Sequence, residues 1–334
     1  MRSAFHMLFS RASSHREPCS GGADTSVDTA RPTVLVLMAT YNGSSWVREQ
    51  IESVLGQEGV DLAIAIRDDA STDGTRWELA RFADDERVKI VAANAPSGAA
   101  ARNFLALIRE NPAGAAEFVA FADQDDLWNP GKLRRACQML AASDSAGYSS
   151  ATVAAWADGR EQLLEISGAP TASDFLFEGA GQGCTFVLTA ALYERVRGFL
   201  TSQGELPREI HYHDWLVYAL ARSWKLRWCF DQQPTMKYRQ HAENDTGARG
   251  TLPGITKRLL LIRRGWYRAQ LVAIAELCSA AAPANPTILT WHSTLLQNDG
   301  WRKRWQTARF CLRGGRRRGR DNAMVVISAL AGWI

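Results

Sequence analysis

The sequence predicts an α/β fold in which a mainly parallel central sheet is covered by helices on both faces. Short apolar runs alternate with segments of helical periodicity along the first 130 residues, and this order is typical of parallel sheets. Polar clusters follow three of these runs, and parallel sheets bind ligands at the carboxyl ends of their strands. We predict strands at residues 33–38, 62–66, 88–91 and 118–121, and a connecting helix at residues 45–55.

The composition is that of a folded protein in a reducing compartment. Of 334 residues, 46% are hydrophobic and 22% are charged, so the chain can bury a sizeable core. The six cysteines are widely scattered without a C-x-x-C pair, which argues against a zinc cage or a disulfide framework. No stretch reaches the roughly 18 apolar residues that a membrane span needs. We therefore expect a cytoplasmic protein.

The chain divides into three predicted regions. Residues 1–31 are polar without apolar periodicity and are expected to form a disordered leader. Residues 32–247 form the α/β domain, in which a mixed region from about residue 150 includes residues 179–189, a helix opening at Asp214 and a strand at residues 225–230. Residues 248–334 are expected to form a helical, basic extension, which contains most of the excess of positive charge.

The strongest motif is an acidic cluster placed directly after the predicted strand at residues 118–121. Asp123, Asp125 and Asp126 follow that apolar run, and in extended backbone Asp123 and Asp125 project to the same side. Two oxygen ligands with space for water and phosphate suit Mg²⁺ or Mn²⁺ holding a diphosphate. The alternative is an acidic surface turn that caps the next helix.

A second acidic pair, Asp68 and Asp69, follows the predicted strand at residues 62–66. The segment superficially resembles a calcium loop, but Ala80 occupies the twelfth position, where a bidentate glutamate is needed. Carboxylates at the end of a parallel strand can instead accept hydrogen bonds from a nucleotide base or ribose. Capping of the next helix by Thr72 or Asp73 is compatible with this role.

Together these motifs resemble glycosyltransferase family 2. The resemblance rests on residues 39–43, 67–75, 98–103 and 123–130 and extends over roughly residues 33–247. Later segments, His213-Asp214-Trp215 and residues 238–241, make the chain similar to bacterial rhamnosyltransferases and related O-antigen or capsule enzymes. The resemblance implies a GT-A type fold, which is a Rossmann-like sandwich, together with an inverting mechanism and a divalent metal, Mg²⁺ or Mn²⁺.

The resemblance also implies roles for individual residues. Asp214 would be the general base that takes the proton of the acceptor hydroxyl, although helix capping is the plain alternative. Nucleotide binding is expected from Thr40, Tyr41, Asn42, Asp68, Asp69, Arg102 and Asp123. Metal binding is expected from Asp123, Asp125 and His241. Contacts with the sugar or the acceptor are expected from Asp126, Trp128, Gly183, Cys184, His213, Trp215 and Arg239.

The basic segment near the C-terminus predicts a surface that binds an anionic membrane. Nine lysines or arginines and no acid lie between Trp301 and Arg320, and they alternate with aromatic residues. Cationic charge with interfacial aromatics suits an anionic leaflet. A solvated helix or a nucleic-acid surface is the alternative, but no nucleic-acid module is recognisable. We expect peripheral attachment to the inner face of the plasma membrane and no nucleic-acid partner.

The function expected from these observations is transfer of a sugar from a nucleotide-diphosphate donor to a glycan or lipid-linked acceptor of a bacterial surface polysaccharide. The resemblance suggests L-rhamnose from a dTDP donor. A UDP-hexose or UDP-N-acetylhexosamine transferase stays open, and so does a non-catalytic subunit that binds nucleotide sugars or glycans. A processive synthase is disfavoured because the chain has no Gln-x-x-Arg-Trp.

Overall fold

A seven-stranded sheet forms the centre of the computed structural model, which describes residues 30–166, 168–241 and 260–334. Residues 1–29 of the predicted leader, and the predicted boundary between residues 247 and 248, lie outside the described residues. The strands of this sheet are β1 (Thr33–Thr40), β2 (Asp61–Asp68), β3 (Val88–Ala92), β4 (Phe118–Ala122), β6 (Ser145–Ser150), β9 (Val187–Thr189) and β10 (Arg227–Asp231).

The spatial order of the strands is β10-β6-β9-β4-β1-β2-β3. The pairs β1 with β2, β1 with β4, β2 with β3, and β6 with β10 are parallel. Within this sheet, β9 is the one described strand that runs antiparallel to its neighbours, β4 and β6. The prediction of a mainly parallel sheet is confirmed. The antiparallel β9 was not predicted, because three residues are too few to show a period.

A smaller sheet contains four strands, β5 (Leu127–Trp128), β7 (Thr152–Trp156), β8 (Glu161–Leu164) and β11 (Met236–Gln240), in the spatial order β5-β11-β7-β8. Strand β11 pairs with β5 in antiparallel and with β7 in parallel orientation, so it joins the acidic segment to the mixed region of the chain. The sequence did not predict this sheet, whose short strands show little alternation of polar and apolar residues.

Helices cover both faces of the central sheet. They are α1 (Val47–Leu55), α2 (Thr75–Ala80), α3 (Ala100–Glu110), α4 (Lys132–Ala141), α5 (Ala190–Ser202), α6 (His213–Ser223), α7 (Trp266–Ala281), α8 (Pro286–Leu296), α9 (Trp301–Gly314) and α10 (Gly319–Leu330). Helix α8 shows the local rules clearly, because Pro286 occupies its first turn and the Asn285 side chain accepts hydrogen bonds from the first backbone N–H groups.

Alternation along β1 explains how one strand supports two hydrophobic layers. Val34 and Val36 belong to a buried cluster with residues of α1, whereas Leu35 and Leu37 belong to a second cluster with Phe104 of α3. Successive side chains of a strand point to opposite faces, so each face receives its own layer of helices. Burial of each such side chain stabilises the fold by about 1.5–3 kcal/mol.

The C-terminal helices share the hydrophobic core of the α/β domain. Trp291 of α8 is fully buried, and its ring centroid lies 4.7 Å from that of Phe177 and 4.7 Å from that of Phe310. Leu271 and Val325 belong to the same buried cluster as Phe104. The predicted helical extension is confirmed as a set of helices, but it packs into the domain. Among the described residues, no helix combines the length and the apolar character that crossing a bilayer requires.

The structure also corrects the expected placement of two arginines of the basic segment. From the sequence, Arg316 and Arg317 were counted with the charges that face an anionic leaflet. The Arg317 side chain is only 2% exposed and forms ion pairs with Asp174 and Glu178, and Arg316 pairs with Glu178 as well. Their charges are therefore neutralised inside the protein.

Candidate active site

Three strands deliver the predicted nucleotide-binding residues to one edge of the sheet. Thr40 ends β1 and Asp68 ends β2, and these two residues are partners in the parallel register. The Thr40 hydroxyl donates a hydrogen bond to Asp68 Oδ1 at 3.1 Å. Asp123 directly follows β4, which pairs with β1 on the side opposite to β2. The carboxyl edge of the sheet therefore brings together residues that lie more than 80 positions apart in the sequence.

The loop after β1 is fixed to the acidic cluster by Gln124. Its amide nitrogen donates to the Tyr41 carbonyl at 2.9 Å, and its amide oxygen accepts from the Tyr41 backbone N–H at 2.8 Å. Asn42 adopts a left-handed conformation, with φ of 48°, which asparagine tolerates better than most residues. Sequence reasoning missed Gln124 as a functional residue. An amide within a row of carboxylates was the available indication.

Asp68 and Asp69 are both buried and are bonded to the protein's own loops. The Asp68 carboxylate accepts from the Ser71 backbone N–H and from Arg76 Nε, each at 3.1 Å. The Asp69 carboxylate accepts from the backbone N–H and the hydroxyl of Ser97. These acids organise the loops on this side of the site. Contact with a base or ribose would require an exchange of these hydrogen bonds.

Arg102 lies in the first turn of α3. The next residue, Asn103, connects this helix by hydrogen bonds to the carboxyl edge of the central sheet. The Asn103 amide nitrogen donates to the carbonyls of Thr40 and Arg67 at 3.2 and 3.1 Å, and Asn103 Oδ1 accepts from the Arg67 guanidinium at 2.8 Å. These bonds fix the start of α3 beside the predicted nucleotide side. Asn103 was missed in the sequence, where it reads as an ordinary helical residue.

The acidic segment and residue 184 form a compact group of ligand atoms. One atom each from Asp123, Asp126 and Cys184 lies within 4.8 Å of the others. Asp126 is fully buried, and apart from the Cys184 thiol its oxygens lack a hydrogen-bond partner in the described part of the chain. Burial, followed by the negative charges of Asp125 and Asp123, raises the pKa of Asp126 well above its usual range.

A buried lysine lies behind this group. Lys132 is fully buried, and its Nζ lies 3.8 Å from the centroid of the Trp128 ring, which is itself buried. Burial lowers the pKa of the Lys132 amine to about 8, while the charge of Asp126 acts in the opposite direction. Trp128 is therefore packed in the interior against Lys132 and does not line the open side of the candidate site. The burial of Lys132 could not be predicted, because in the sequence it reads as the start of a surface helix.

Asp125 meets His241 from the far end of β11. His241 Nε2 lies 2.8 Å from Asp125 Oδ2, and the imidazole stacks on Trp46 with ring centroids 4.1 Å apart. The preceding β11 residue Arg239 forms an ion pair with Glu49. The structure thus brings together two of the three predicted metal ligands. Trp46 and Glu49 were missed because their partners lie about 190 residues away in sequence.

The donor atoms available here fit a hard divalent cation. Carboxylates and one imidazole are ligands that Mg²⁺ and Mn²⁺ accept. A soft metal would need the Cys184 thiolate, but burial and the charges of Asp126 and Asp123 raise the pKa of that thiol well above its usual range. The buried Asp126 carboxyl lies behind the same position, with Asp123 between it and the open side of the site. The residues therefore match the cation that the acidic motif predicts.

Asp214 lies in the first turn of α6, next to the loop of residues 181–185. Its Oδ1 accepts from the Trp215 backbone N–H at 2.7 Å, while the N-cap position belongs to Tyr212. Trp215 itself is buried, and its indole N–H donates to the Phe175 carbonyl, so it supports the helix from behind. This bond satisfies a backbone N–H of the first turn, so a role for Asp214 at the start of the helix is compatible with the predicted role as a base.

Gly183 is the point of closest approach between that loop and α6. A Cβ atom at this position would lie 2.9 Å from Asp214 Cβ and 3.2 Å from His213 Nε2. We expect Gly183→Ala to displace Asp214 and to lower kcat by at least about tenfold, because small misplacements of a reacting group are costly. Gly198→Ala, where a Cβ meets open space, serves as the control. Unchanged kcat in Gly183→Ala would contradict the placement of Asp214 in the reaction.

His213 is held as a neutral imidazole beneath the site. Its ring stacks on Phe104 with centroids 3.8 Å apart, and burial lowers its pKa from 6.5 to about 3. Between these pH values the unfolded chain binds a proton that the folded protein does not, so the free energy of unfolding falls as the pH drops. We expect about 2 kcal/mol of stability to be lost between pH 6.5 and pH 5 through this residue.

Urea unfolding at several pH values checks the effect of His213. The non-titrating variant His213→Gln should lose less stability than the wild type over the same acid range, whatever its stability at neutral pH. If the free energies of unfolding of the two proteins changed in parallel with pH, the His213 imidazole would be free to take up a proton in the folded state.

Comparison with known proteins identifies the family. Residues 35–166 match glycosyl transferase family 2. The chain is 35% identical over 241 residues to the dTDP-rhamnosyl transferase RfbG of Shigella flexneri, which covers 72% of this chain and 83% of that protein. It is also 32% identical over 107 residues to the UDP-Glc:alpha-D-GlcNAc-diphosphoundecaprenol beta-1,3-glucosyltransferase WfgD of Escherichia coli, covering 32% of this chain and 40% of that one.

Solved structures show the same fold at low sequence identity. The structure of S. aureus TarS superimposes with a TM-score of 0.54 at 15% identity, covering 90% of this chain and 53% of that chain. A shorter form, S. aureus TarS 1–349 in complex with UDP-GlcNAc, gives a TM-score of 0.50 at 14% identity, covering 90% and 89%. The expected GT-A type fold is confirmed. By its extended similarity to the rhamnosyl transferase and by the matched domain, the chain belongs to glycosyltransferase family 2.

Proposed function

We propose that this glycosyltransferase moves L-rhamnose from dTDP-rhamnose to a lipid-linked saccharide, with inversion at the anomeric carbon and with Mg²⁺ or Mn²⁺. One observation carries the proposal. The acids after β4 and the Asp214 carboxylate approach the same loop, since Cys184 touches the first group and Gly183 touches the second. A donor diphosphate and an acceptor hydroxyl can therefore meet across residues 183 and 184.

On the donor side, Asp123, Asp125 and His241 would hold the cation. When bound, the divalent ion would neutralise the charge that develops on the departing diphosphate. Neighbouring residues orient these ligands. Gln124 bonds to the loop after β1, and the Trp46 ring stacks on the His241 imidazole and fixes its orientation. Arg239 lies on the strand that leads to His241, and its ion pair with Glu49 fixes that strand to α1.

On the acceptor side, Asp214 would take the proton of the attacking hydroxyl. The acceptor oxygen forms a bond to the anomeric carbon while the bond from that carbon to the diphosphate oxygen breaks, and the electron pair leaves with the nucleotide. A single displacement of this kind inverts the configuration. A carboxylate of ordinary pKa suffices, because the hydroxyl becomes acidic only as the new bond forms. Positioning supplies much of the rate.

The similarity to the Shigella flexneri protein supports dTDP-rhamnose as the donor, because that likeness extends over most of both chains. The similarity to the glucosyltransferase WfgD supports UDP-glucose as a second candidate, over a shorter segment. A non-catalytic binding subunit would have no need for a carboxylate against Gly183. The Asp214 position therefore favours an enzyme.

The proposed activity is tested by incubating the full chain with Mn²⁺, GlcNAc-diphosphoundecaprenol and one donor at a time. We expect transfer from dTDP-rhamnose and little from UDP-glucose or UDP-GlcNAc. NMR of the product should show that the anomeric configuration is inverted relative to the donor. Transfer from UDP-glucose alone would overturn the rhamnose assignment and support the second candidate. Retention of the anomeric configuration would overturn the single displacement.

We also propose that α9 attaches the enzyme to an anionic membrane surface. Trp301 and Trp305 are 72% and 53% exposed on one side of this helix, and Leu312 is exposed as well. Lys303 and Cys311 pack inward, and this orientation leaves the two tryptophans and Leu312 on the surface. The exposed basic residues of the same helix are Arg302, Arg309 and Arg313. Basic and aromatic residues together suit an anionic interface.

Vesicle sedimentation separates this surface from a simply solvated helix. We expect the wild type to bind phosphatidylglycerol vesicles and to ignore phosphatidylcholine vesicles. Trp301→Ala with Trp305→Ala should lose this binding. Trp77→Ala, which removes an 82% exposed tryptophan elsewhere, should keep it. Equal loss in both variants, or binding to duplex DNA in place of vesicles, would contradict a membrane role for α9.

A further inference from the structure

The most deeply buried charges outside the active site join the turn after α9 to residues 174–179. Asp174 is fully buried, and its Oδ2 lies 2.7 Å from a terminal nitrogen of Arg317. The Tyr218 hydroxyl donates to the same carboxylate oxygen at 2.8 Å, and Arg222 approaches the other oxygen at 3.5 Å. The carboxylate of Asp174 is therefore neutralised from both α6 and the C-terminal turn.

Arg317 reaches beyond Asp174 to the backbone that leads into the site. Its second terminal nitrogen donates to the Gly179 carbonyl at 2.6 Å, and its own backbone N–H donates to Glu178 Oε1 at 2.6 Å. Arg316 pairs with the other oxygen of Glu178 at 3.2 Å. One planar guanidinium thus fixes two groups five residues apart, which a lysine ammonium cannot do with the same geometry.

The segment fixed in this way is the one that carries the loop of residues 181–185. A Cβ atom on Gly179 would lie 3.3 Å from Trp215 Cα, so the backbone here presses against α6 one residue after Asp214. The next carbonyl, that of Ala180, accepts from the Ser149 hydroxyl at 2.8 Å. Gly183 then contacts Asp214 itself. The position of residue 183 relative to the carboxylate depends on where residue 179 is held.

We propose that Arg317 is a positioning residue, by which the C-terminal helices lock the loop of residues 181–185 against Asp214 and so shape the acceptor side of the site. Buried ion pairs contribute little net stability, because desolvation offsets their attraction, whereas their directional bonds define one arrangement. The donor-side residues bond to other elements, since Thr40 donates to Asp68 and Asp125 contacts His241. The inference rests on the proposed function in assigning Asp214 to the acceptor.

The test variant is Arg317→Lys, which keeps the charge but cannot donate to Asp174 and the Gly179 carbonyl at once. The control is Arg320→Lys, because the Arg320 side chain is exposed on α10. We expect Arg317→Lys to raise the KM for GlcNAc-diphosphoundecaprenol by at least about tenfold, since it breaks a charged hydrogen bond. The Kd for dTDP-rhamnose with Mn²⁺ should change less than about twofold. A merely structural role would weaken both together with the melting temperature.

Hydrogen exchange provides a readout that needs no acceptor. Amides of residues 179–185 should exchange faster in Arg317→Lys than in the wild type, while those of residues 40–43 should not change. Glu178→Gln, which keeps an acceptor for the Arg317 backbone, should show the same pattern more weakly and serves if Arg317→Lys does not fold. Unchanged exchange at residues 179–185 would overturn the inference even in an inactive preparation. Failure of the wild type to transfer sugar, with the exchange pattern as expected, would count against the proposed function alone.

Discussion

Replacement of Asp214 by asparagine is expected to lower the rate of sugar transfer by about 10²–10⁴-fold, because the amide cannot take the proton of the acceptor hydroxyl. Asparagine has nearly the same shape and can still accept the hydrogen bond from the Trp215 N–H, so α6 should be preserved. Donor affinity should stay within about twofold of the wild type, since the donor-side residues lie on other elements. Steady-state transfer and calorimetric donor binding measure the two quantities.

Asp144→Asn is the matched control, because the same charge is removed from a side chain that is 90% exposed. It should leave both transfer and donor binding unchanged. If Asp214→Asn transferred sugar at the wild-type rate, another group would have to accept the proton. If both variants were impaired, the effect would reflect overall charge.

Replacement of Asp125 by asparagine is expected to weaken metal affinity by at least about 100-fold, and donor binding with it. The amide removes one negative charge from the cation position but can still contact His241, which lies 2.8 Å from the carboxylate. The loss should therefore reflect charge and ligation, with the fold intact. Titration with Mn²⁺ measures the metal affinity. The donor affinity is then measured without Mn²⁺ and at a saturating Mn²⁺ concentration.

His241→Gln separates ligation from the neighbouring contact, since it keeps a polar group beside Asp125 and retains the negative charge. We expect its metal affinity to fall less than that of Asp125→Asn. An Asp125→Asn protein that binds Mn²⁺ as the wild type does would show that Asp125 is not a ligand, and would leave the group of Asp123, Asp126 and Cys184 as the candidate among the described residues.

Sequence reasoning predicted the first half of the sheet well for a physical reason. Strands β1, β2 and β4 are buried on both faces, so they are continuous apolar runs that end abruptly in polar residues. Those abrupt ends also marked Thr40, Asp68 and Asp123, which the fold brings to one edge. Strands β5, β8 and β9 are only two to four residues long and left no comparable pattern.

Pairings over long sequence distances were beyond what local pattern could predict. Trp46 stacks on His241, and Arg239 pairs with Glu49, only because β11 returns beside α1. A basic run such as that around Arg317 is usually a solvated surface, and its partner Asp174 lies 143 residues earlier. Lys132 likewise reads as a surface residue, and only packing shows it buried against Trp128.

Thermal unfolding tests whether the acids after β4 bind a nucleotide sugar together with a divalent cation. The wild type is unfolded with dTDP-rhamnose, UDP-glucose and UDP-GlcNAc, each with and without Mn²⁺. A ligand that binds the folded state raises the melting temperature. We predict a rise with dTDP-rhamnose that requires Mn²⁺, disappears in Asp125→Asn and persists in Asp214→Asn. No rise with any donor, or a rise that is independent of both Mn²⁺ and Asp125, would show that these acids do not hold a donor together with a cation.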